Sequence, residues 1–244
     1  MNSLKSIIKK KLLLIKNSGN KIECPICGYQ AKKFLPGGLH TKRINAKCPQ
    51  CGSVERQRIL WKYISEKSEL KDKPNLNILH FAPEESLALK LKEYFINYKT
   101  SDFGTTKSDY NYDLMAVDCQ DNKWDCIICF HVLEHVDNDI LAMKEIYRIL
   151  KPGGQAFIQI PIWPSESHPT YENPLITDSR DRKINYGQED HLRIYGLDVA
   201  DRLKSAGFNV SPIRYKEVFS SEEINRFALY NSSGISEVFF ICKK

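Results

Sequence analysis

Two short cysteine motifs near the start of the sequence constrain the fold most. "CPICG" contains Cys24 and Cys27, "CPQCG" repeats the pattern at Cys48 and Cys51, and twenty residues separate the two pairs. Cysteine pairs at this separation are typical of a tetrahedral zinc site with four thiolate ligands. Four thiolates leave no coordination position open, so the sequence predicts a structural zinc ribbon, which lets a segment too short for its own core fold.

Charge divides the chain into two parts. Residues 1–75 contain 17 Lys/Arg against 5 Asp/Glu, whereas the remainder contains 19 against 25. A basic segment of this kind meets nucleic acid, an anionic substrate or a membrane surface, or is a solvated lysine-rich face. No apolar run approaches the roughly 18 residues of a membrane span, and the N-terminal stretch lacks a cleavage site. We therefore expect a cytoplasmic protein without a membrane span.

Apolar periodicity and turn residues predict the domain organisation. We expect a basic N-terminal segment over residues 1–20, a zinc ribbon with a connecting helix over 21–64, and a polar linker over 65–75. From residue 76 to 244, short apolar runs alternate with amphipathic stretches, which indicates a doubly wound α/β sheet. Several prolines predict an irregular stretch without helix over residues 163–190, and we assign this insertion to a lid over the acceptor site.

The later part of the chain resembles a known superfamily. "WDCIICFHVLEHV", "EIYRILKPGG" and "HLRIYGLDVADRLKSAGF" are similar to segments of class I S-adenosylmethionine (SAM)-dependent methyltransferases of the small-molecule, type 11-like branch. The resemblance covers residues 76–244 and implies a Rossmann-like sheet of seven strands. The first turn, "LHFAPE", lacks the usual glycines and is similar to a variant that accompanies N-terminal CPxCG ribbons in uncharacterised bacterial methyltransferases.

The resemblance also implies how SAM is held. The first turn approaches the cofactor, an acid after the second strand binds the ribose, and an Asp-Leu pair lies at the adenine edge, with Asp118 as the alternative acid there. The cofactor-binding residues implied are His80, Phe81, Ala82, Pro83, Glu84, Asp102, Asp113, Leu114, Phe130 and His131.

The segment "HVLEHV" admits a second interpretation. The spacing His131-x-x-Glu134-His135 matches a zinc-peptidase signature, because residues four apart on a helix share a face. We favour the rim of the cofactor pocket, since the segment follows a predicted strand and open α/β sheets bind ligands at that edge. A peptidase would also need a third ligand, which the sequence does not reveal.

The acceptor side offers several candidate residues. Methyl transfer from a sulfonium is an in-line displacement, so the enzyme positions the acceptor and removes its proton where needed. Histidine is the usual base near neutral pH, and we predict His191 and His131 as catalytic residues, with His168 as a further candidate. Three arginines are candidates for holding an anionic acceptor unless they are solvated: Arg180, Arg182 and Arg193.

Three functions fit these features. The favoured one is methyl transfer from SAM to a small-molecule or carbohydrate-like acceptor, at oxygen. The second is a ribosomal RNA methyltransferase whose basic ribbon binds RNA, although the sequence lacks an aromatic-rich basic stripe and an Asn-Pro-Pro-Tyr-type motif. The third is a non-catalytic interaction protein built on the zinc ribbon.

Overall fold

The computed structural model describes residues 2–38, 42–162, 168–230 and 238–244, without the side chains of residues 2–4. The helices are α1 (Asn2–Asn17), α2 (Glu55–Glu66), α3 (Glu85–Tyr94), α4 (Asp139–Ile149), α5 (Ser179–Tyr186), α6 (Val199–Ser205), α7 (Tyr215–Val218) and α8 (Ser221–Arg226). The strands are β1 (Ser18–Glu23), β2 (Gln30–Ala31), β3 (Leu35–Gly37), β4 (Arg43–Lys47), β5 (Asn77–Phe81), β6 (Asn97–Ser101), β7 (Trp124–Phe130), β8 (Leu150–Gln159), β9 (Asn209–Arg214) and β10 (Val238–Lys243).

The chain forms two compact units. The first comprises Met1–Asp72, Glu84–Leu91 and Tyr215–Glu237, and the second comprises Lys73–Pro83, Lys92–Arg214 and Val238–Lys244. Within the described residues, none of the helices has the length and apolar character that crossing a membrane requires.

A six-stranded sheet in the order β6-β5-β7-β8-β10-β9 dominates the second unit. Strands β6, β5, β7 and β8 are parallel, and β10 runs antiparallel to both of its neighbours. The chain moves from β5 outward to β6 and then returns to the other side of β5 at β7, so the strand order reverses there. Ligands of doubly wound sheets bind at such a reversal. The predicted Rossmann-like α/β fold is confirmed.

The number of strands differs from the predicted seven. In the described residues, the β6 edge is followed only by a single bridge between Ser101 and Tyr110. Local hydrogen bonds occupy the backbone there, because Asp109 Oδ2 accepts from both the amide and the hydroxyl of Thr100, each at 2.9 Å. Short polar side chains of this kind compete with strand pairing, which explains why no regular strand forms in this segment.

Helix α4 and strand β7 show how the sequence pattern produces the core. β7 is buried from Cys126 to Phe130, as expected of a parallel strand covered on both faces. α4 begins at the cap Asn138, whose side chain accepts from the amide of Leu141 at 2.9 Å. Its apolar face is formed by Ala142, Met143, Ile146 and Ile149.

The first unit is organised around a buried arginine. Arg58 on α2 is fully buried, and its guanidinium donates to the carbonyl oxygens of Ala46 at 2.9 Å, Ser53 at 2.6 Å and Ala228 at 2.7 Å. These contacts join the ribbon to the segment around α8. A buried guanidinium is stable only when its donors are satisfied, and carbonyl oxygens satisfy them here.

The predicted domain boundaries therefore differ from the two units. Residues of α3 and the segment Tyr215–Glu237 belong to the unit that contains the ribbon, although the sequence pattern placed them in one continuous domain. The segment Tyr215–Glu237 belongs to the first unit because Arg58 pairs with Ala228, a long-range contact that sequence periodicity does not reveal. The predicted linker is also partly ordered, since Ser68 and Leu70 are buried and the Ser68 hydroxyl donates to Ile64 O at 2.9 Å.

Candidate functional site

The turn after β5 follows an uncommon backbone path. Ala82 has a φ of 45°, in the left-handed region, and its amide donates to Ser101 O at 2.8 Å. A residue with a Cβ is uncommon in this region, and such strain is concentrated at ligand sites. The turn thus reaches a conformation usually supplied by glycine, although no glycine is present.

A cavity of about 280 Å³ opens beside this turn. Small-molecule pockets start near about 300 Å³, so its size suits part or all of a cofactor. It is lined by Phe81, Ala82, Asp102, Phe103, Tyr112, Asp113, Leu114, Met115, Val132, His135, Val136 and Asp137. Five of the predicted cofactor residues are therefore brought together, namely Phe81, Ala82, Asp102, Asp113 and Leu114.

The two carboxylates of the cavity come from different segments. Asp102 directly follows β6 and is half-buried. Asp113 is half-buried and its Oδ1 accepts from the amide of Met115 at 2.9 Å, which fixes the orientation of its carboxylate. The alternative acid, Asp118, is exposed and does not line the cavity.

Other predicted cofactor residues do not line the cavity. His80 is fully buried and its Nδ1 lies 2.8 Å from the hydroxyl of Tyr98, because successive residues of a strand face opposite sides and Phe81 takes the cavity side. Burial lowers the pKa of His80 to about 3. Pro83 and Phe130 are also absent from the lining, and Glu84 belongs to the first unit, where it pairs with Arg56.

The segment after β7 forms a second strained turn. His131 has a φ of 56°, and its amide donates to Gln159 O at 2.8 Å. Its side chain is 32% exposed, and Nδ1 lies 3.3 Å from Oε1 of the fully buried Glu134. His131 does not line the cavity, whereas Val132 and His135 do.

The second predicted base, His191, comes from the far side of the insertion. It is 4% exposed, its Nδ1 lies 3.1 Å from Tyr186 O, and burial lowers its pKa. The adjacent Leu192 amide donates to Glu134 O at 2.8 Å, which ties this segment to the turn after β7. Both predicted bases thus lie near Glu134, which the sequence indicated only as part of the peptidase-like spacing.

Comparison with known proteins identifies the class of enzyme. A protein family defined by a methyltransferase domain matches residues 59–212, which is more than half of the chain. The chain belongs to this family. No curated protein matches the sequence at a significant level.

Solved structures agree with this assignment at the level of the fold. The cyclase SpnF has 14% sequence identity and a TM-score of 0.50, and the match covers 76% of this chain and 80% of that one. Phosphoethanolamine N-methyltransferase 2 of Haemonchus contortus, in complex with S-adenosyl-L-methionine, has 13% identity and a TM-score of 0.51, covering 79% of this chain and 53% of that one. The resemblance to class I SAM-dependent methyltransferases is confirmed, and the protein is an enzyme of that class.

Arg193 of this methyltransferase has a role that the sequence did not suggest. It is 3% exposed, and its guanidinium donates to Leu133 O at 2.8 Å, Val136 O at 2.6 Å and Asp137 O at 2.9 Å. These carbonyls belong to the turn after β7. Arg193 therefore shapes the wall of the smaller cavity, which Val136 and Asp137 line, and it also lines a larger cavity.

A second, larger cavity of about 670 Å³ lies next to the first. The two share Asp137 in their linings. The larger one is lined by Asp137, Asn138, Asp139, Ile140, Glu172, Asn173, Pro174, Ile176, Thr177, Arg182, Leu192, Arg193 and Arg202. The arginines of the larger cavity differ in their partners. Arg202 pairs with Asp139 at 2.6 Å, whereas Nε of Arg182 is buried without a hydrogen-bond partner in the described part of the chain. Arg180 does not line it, and residues 163–167 of the predicted lid lie outside the described residues.

The prediction that the insertion lacks a helix is wrong, because α5 lies within it. The Asp178 side chain caps this helix by accepting from the amide of Arg180 at 2.8 Å, and all three prolines of the insertion precede it.

The four cysteines of the ribbon converge as predicted. The Sγ atoms of Cys24 and Cys51 are 3.7 Å apart, as are those of Cys27 and Cys48, and all four lie within 4.8 Å of one another. A tetrahedral zinc with bonds of about 2.3 Å requires sulfur separations of about 3.8 Å, so the donors fit this ion.

Each cysteine pair sits in a tight turn closed by glycine. Gly28 and Gly52 have φ values of 71° and 79°, and their amides donate to Cys24 O at 2.8 Å and Cys48 O at 3.0 Å. The left-handed backbone at both positions is the reason for glycine in each "CPxCG" motif. The Ser53 hydroxyl lies 3.2 Å from the sulfurs of both Cys24 and Cys51.

Proposed function

We propose that this methyltransferase transfers the methyl group of SAM to an oxygen of a small-molecule or carbohydrate-like acceptor. The observation that carries the proposal is the pair of adjoining cavities, one at the reversal of strand order and a larger one that shares Asp137 with it. Ligands of doubly wound folds bind at this edge. The second cavity gives an acceptor room next to the methyl donor, which an in-line displacement requires.

For the cofactor, we propose that Asp102 accepts hydrogen bonds from the ribose hydroxyls and that Asp113 and Leu114 contact the adenine. These three assignments are supported by the fact that Asp102, Asp113 and Leu114 all line the smaller cavity. In the first turn, Phe81 and Ala82 approach SAM directly, whereas His80, Pro83 and Glu84 shape the backbone path of the turn. Phe130 and His131 shape the backbone path of the second turn, at the end of β7. Bound SAM supplies an activated methyl group on its sulfonium sulfur.

For the acceptor, we propose His131 as the general base. Its side chain is 32% exposed, and the buried carboxylate of Glu134 lies 3.3 Å from Nδ1. A carboxylate in this position orients the imidazole and stabilises the imidazolium that forms when the other ring nitrogen takes a proton. His191 is the second candidate, but at 4% exposed it is far less accessible to an acceptor. Arg182 in the larger cavity is the group we assign to an anionic part of the acceptor.

We also propose that the ribbon binds a structural zinc ion and that the protein is cytoplasmic. The sulfur separations fit a structural zinc, and all eight cysteines are free of disulfides, which suits a reducing compartment. By sequence region, we propose a basic segment over 1–20, the ribbon with its helix over 21–64, a linker over 65–75 and the methyltransferase domain over 76–244 with 163–190 as its lid. Glu84–Leu91 and Tyr215–Glu237 of that last region pack within the unit that contains the ribbon.

Cofactor binding is tested by calorimetric titration of SAM into Asp102→Asn and Asp118→Asn variants. Losing hydrogen bonds to a charged group costs about 1.5 to 3 kcal/mol, so Asp102→Asn should weaken SAM about 10- to 150-fold. Asp118→Asn is the matched control and should bind normally, since Asp118 is exposed outside the cavity. Equal affinities for the two variants would place the ribose elsewhere.

The acceptor class is tested by transfer of labelled methyl groups from SAM into cell extract, with and without nuclease, followed by separation by size. Nuclease-resistant label in the small fraction supports a metabolite acceptor. Label in large, nuclease-sensitive material would favour the RNA alternative. With an acceptor in hand, His131→Gln should lower kcat at unchanged SAM affinity, and an unchanged kcat would exclude His131 as the base.

A further inference from the structure

A buried carboxylate near the cofactor cavity lacks the partners that its charge requires. Glu134 is fully buried, and neither of its oxygens accepts a hydrogen bond from the described residues. His131 Nδ1 lies 3.3 Å from Oε1 and is its ion-pair partner when the imidazole is protonated, whereas Oε2 has no hydrogen-bond partner in the described part of the chain. Buried carboxylates in folded proteins are paired, hydrogen-bonded or bound to a metal. The surroundings of Glu134 therefore suit a bound cation.

Two histidines present metal-binding atoms to this carboxylate. Glu134, His135 and His191 each offer one ligand atom, and these atoms lie within 4.8 Å of one another. In a tetrahedral site with bonds of about 2.1 Å the ligand atoms are about 3.4 Å apart, so small side-chain movements would close the site. The residues come from the turn after β7 and from the segment after α5, which the Leu192 amide already joins to Glu134 O at 2.8 Å.

The outer contacts of both histidines are those of metal ligands. His191 Nδ1 lies 3.1 Å from Tyr186 O, and His135 Nδ1 lies 3.2 Å from Asp190 Oδ2. A histidine that binds a metal through one nitrogen usually donates its other N–H to a carbonyl or a carboxylate. These contacts leave Nε2 of each ring for a metal, and Nε2 of His191 is buried without a hydrogen-bond partner in the described part of the chain.

We propose that Glu134, His135 and His191 bind a divalent cation, separate from the zinc of the ribbon. Two imidazoles and one carboxylate select zinc, iron(II), cobalt or nickel over magnesium or calcium, which prefer oxygen ligands. Three protein ligands leave at least one coordination position open. This ligand set differs from the peptidase-like spacing, because Glu134 takes the place of His131 and His191 joins from a distant segment. Its assignment to the cation leaves His131 as the base.

The proposal does not depend on the identity of the acceptor. His135 lines the smaller cavity, so the cation would share a side chain with the wall of the cofactor site. Oε1 of Glu134 faces His131, which leaves the other carboxylate oxygen for the ion.

The test is a cobalt(II) titration of the full chain, followed by visible absorption, after removal of weakly bound metal with a mild chelator that leaves the ribbon zinc in place. The wild type should bind one further equivalent of cobalt, without the thiolate-to-cobalt charge-transfer band that cobalt in the cysteine site would produce. Glu134→Gln and His191→Gln should each abolish this equivalent. His168→Gln removes a histidine outside the cluster and should bind as the wild type does.

A milder variant guards against misfolding. The Asp190 side chain is 69% exposed and its Oδ2 lies 3.2 Å from the outer nitrogen of His135, so Asp190→Asn should fold normally. It should weaken the additional equivalent about 10- to 100-fold, as expected for loss of an outer contact to a metal ligand. Unchanged affinity in this variant would contradict the assigned orientation of His135.

Thermal unfolding supplies a second readout. Zinc should raise the Tm of the chelator-treated wild type but not that of Glu134→Gln, because only the wild type binds the ion. Without added metal, Glu134→Gln should unfold at a higher temperature than the wild type, since it removes an unpaired buried charge. The proposal is wrong if the wild type takes up no further metal, or if uptake persists in both Glu134→Gln and His191→Gln.

Discussion

The stability of the second unit should depend on pH through one buried imidazole. His80 is fully buried, and burial lowers its pKa to about 3, against an ordinary value of about 6.5. The unfolded chain therefore binds a proton at this residue as the pH falls below 6.5, while the folded chain does not. The stability is fully present above that value and is lost progressively as the pH falls toward 3.

The magnitude follows from the two pKa values. At pH 5 the unfolded chain gains about 2 kcal/mol from protonation of this residue, while the folded chain gains almost nothing. A typical domain has an unfolding free energy of only about 5 to 15 kcal/mol, so protonation of this one imidazole in the unfolded chain would remove a large share of it. The hydroxyl of Tyr98, 2.8 Å from Nδ1, does not change the sign, because a single hydroxyl does not replace the solvation of an imidazolium.

The assay is urea unfolding of the wild type and His80→Leu at pH 7.5 and pH 5, followed by circular dichroism. The variant and the wild type start from different stabilities, so the quantity compared is the loss of unfolding free energy between the two pH values. This loss should be about 2 kcal/mol smaller in His80→Leu, whereas acid effects on the zinc ribbon and on other residues cancel. His168→Leu controls for removal of any histidine. If His80→Leu and the wild type lose the same free energy, the buried neutral imidazole is not what makes the unit acid-sensitive.

Four further substitutions probe other features of the structure. Arg58→Met should lower the unfolding free energy in urea by at least about 3 kcal/mol, because it leaves several buried carbonyls unpaired; a loss below 1 kcal/mol would contradict this. Gly196→Ala should lower the Tm clearly, since a Cβ would overlap the carbonyl oxygen of His168. Ala82→Val should cost about 1 to 2 kcal/mol at its left-handed φ, with Ala82→Gly tolerated as the control. Cys51→Ser should lose zinc, measured by elemental analysis, together with thermal stability, and retention of both would refute the four-cysteine site.

The sequence predicts the proximity of Asp102 and Asp113 better than the orientation of the strand residues next to them. Asp102 follows a strand at the edge where parallel strands end, and the resemblance to class I methyltransferases implies a position for Asp113 at the same edge; both residues line one cavity. His80 and Phe81 are different, because a strand buried on both faces shows no polar alternation that tells which residue faces the ligand.

Contacts between distant segments explain the remaining differences. Arg193 reads as a surface cation in the sequence, yet its acceptors lie 56 to 60 residues earlier in the turn after β7. The proximity of His191 to Glu134 depends on the same approach of the insertion to that turn. No spacing rule covers such pairs, so their partners are seen only in the folded chain.

The pairing of Arg58 with Ala228 also sets an order of events during protein synthesis. The two residues are 170 positions apart, and a ribosome adding about 5 to 20 residues per second needs roughly 10 to 30 s to make that stretch. Throughout this interval the nascent ribbon carries an arginine whose final acceptors do not yet exist. Zinc binding can fix the cysteine turns early, but the final packing of the first unit requires that Ala228 has been translated.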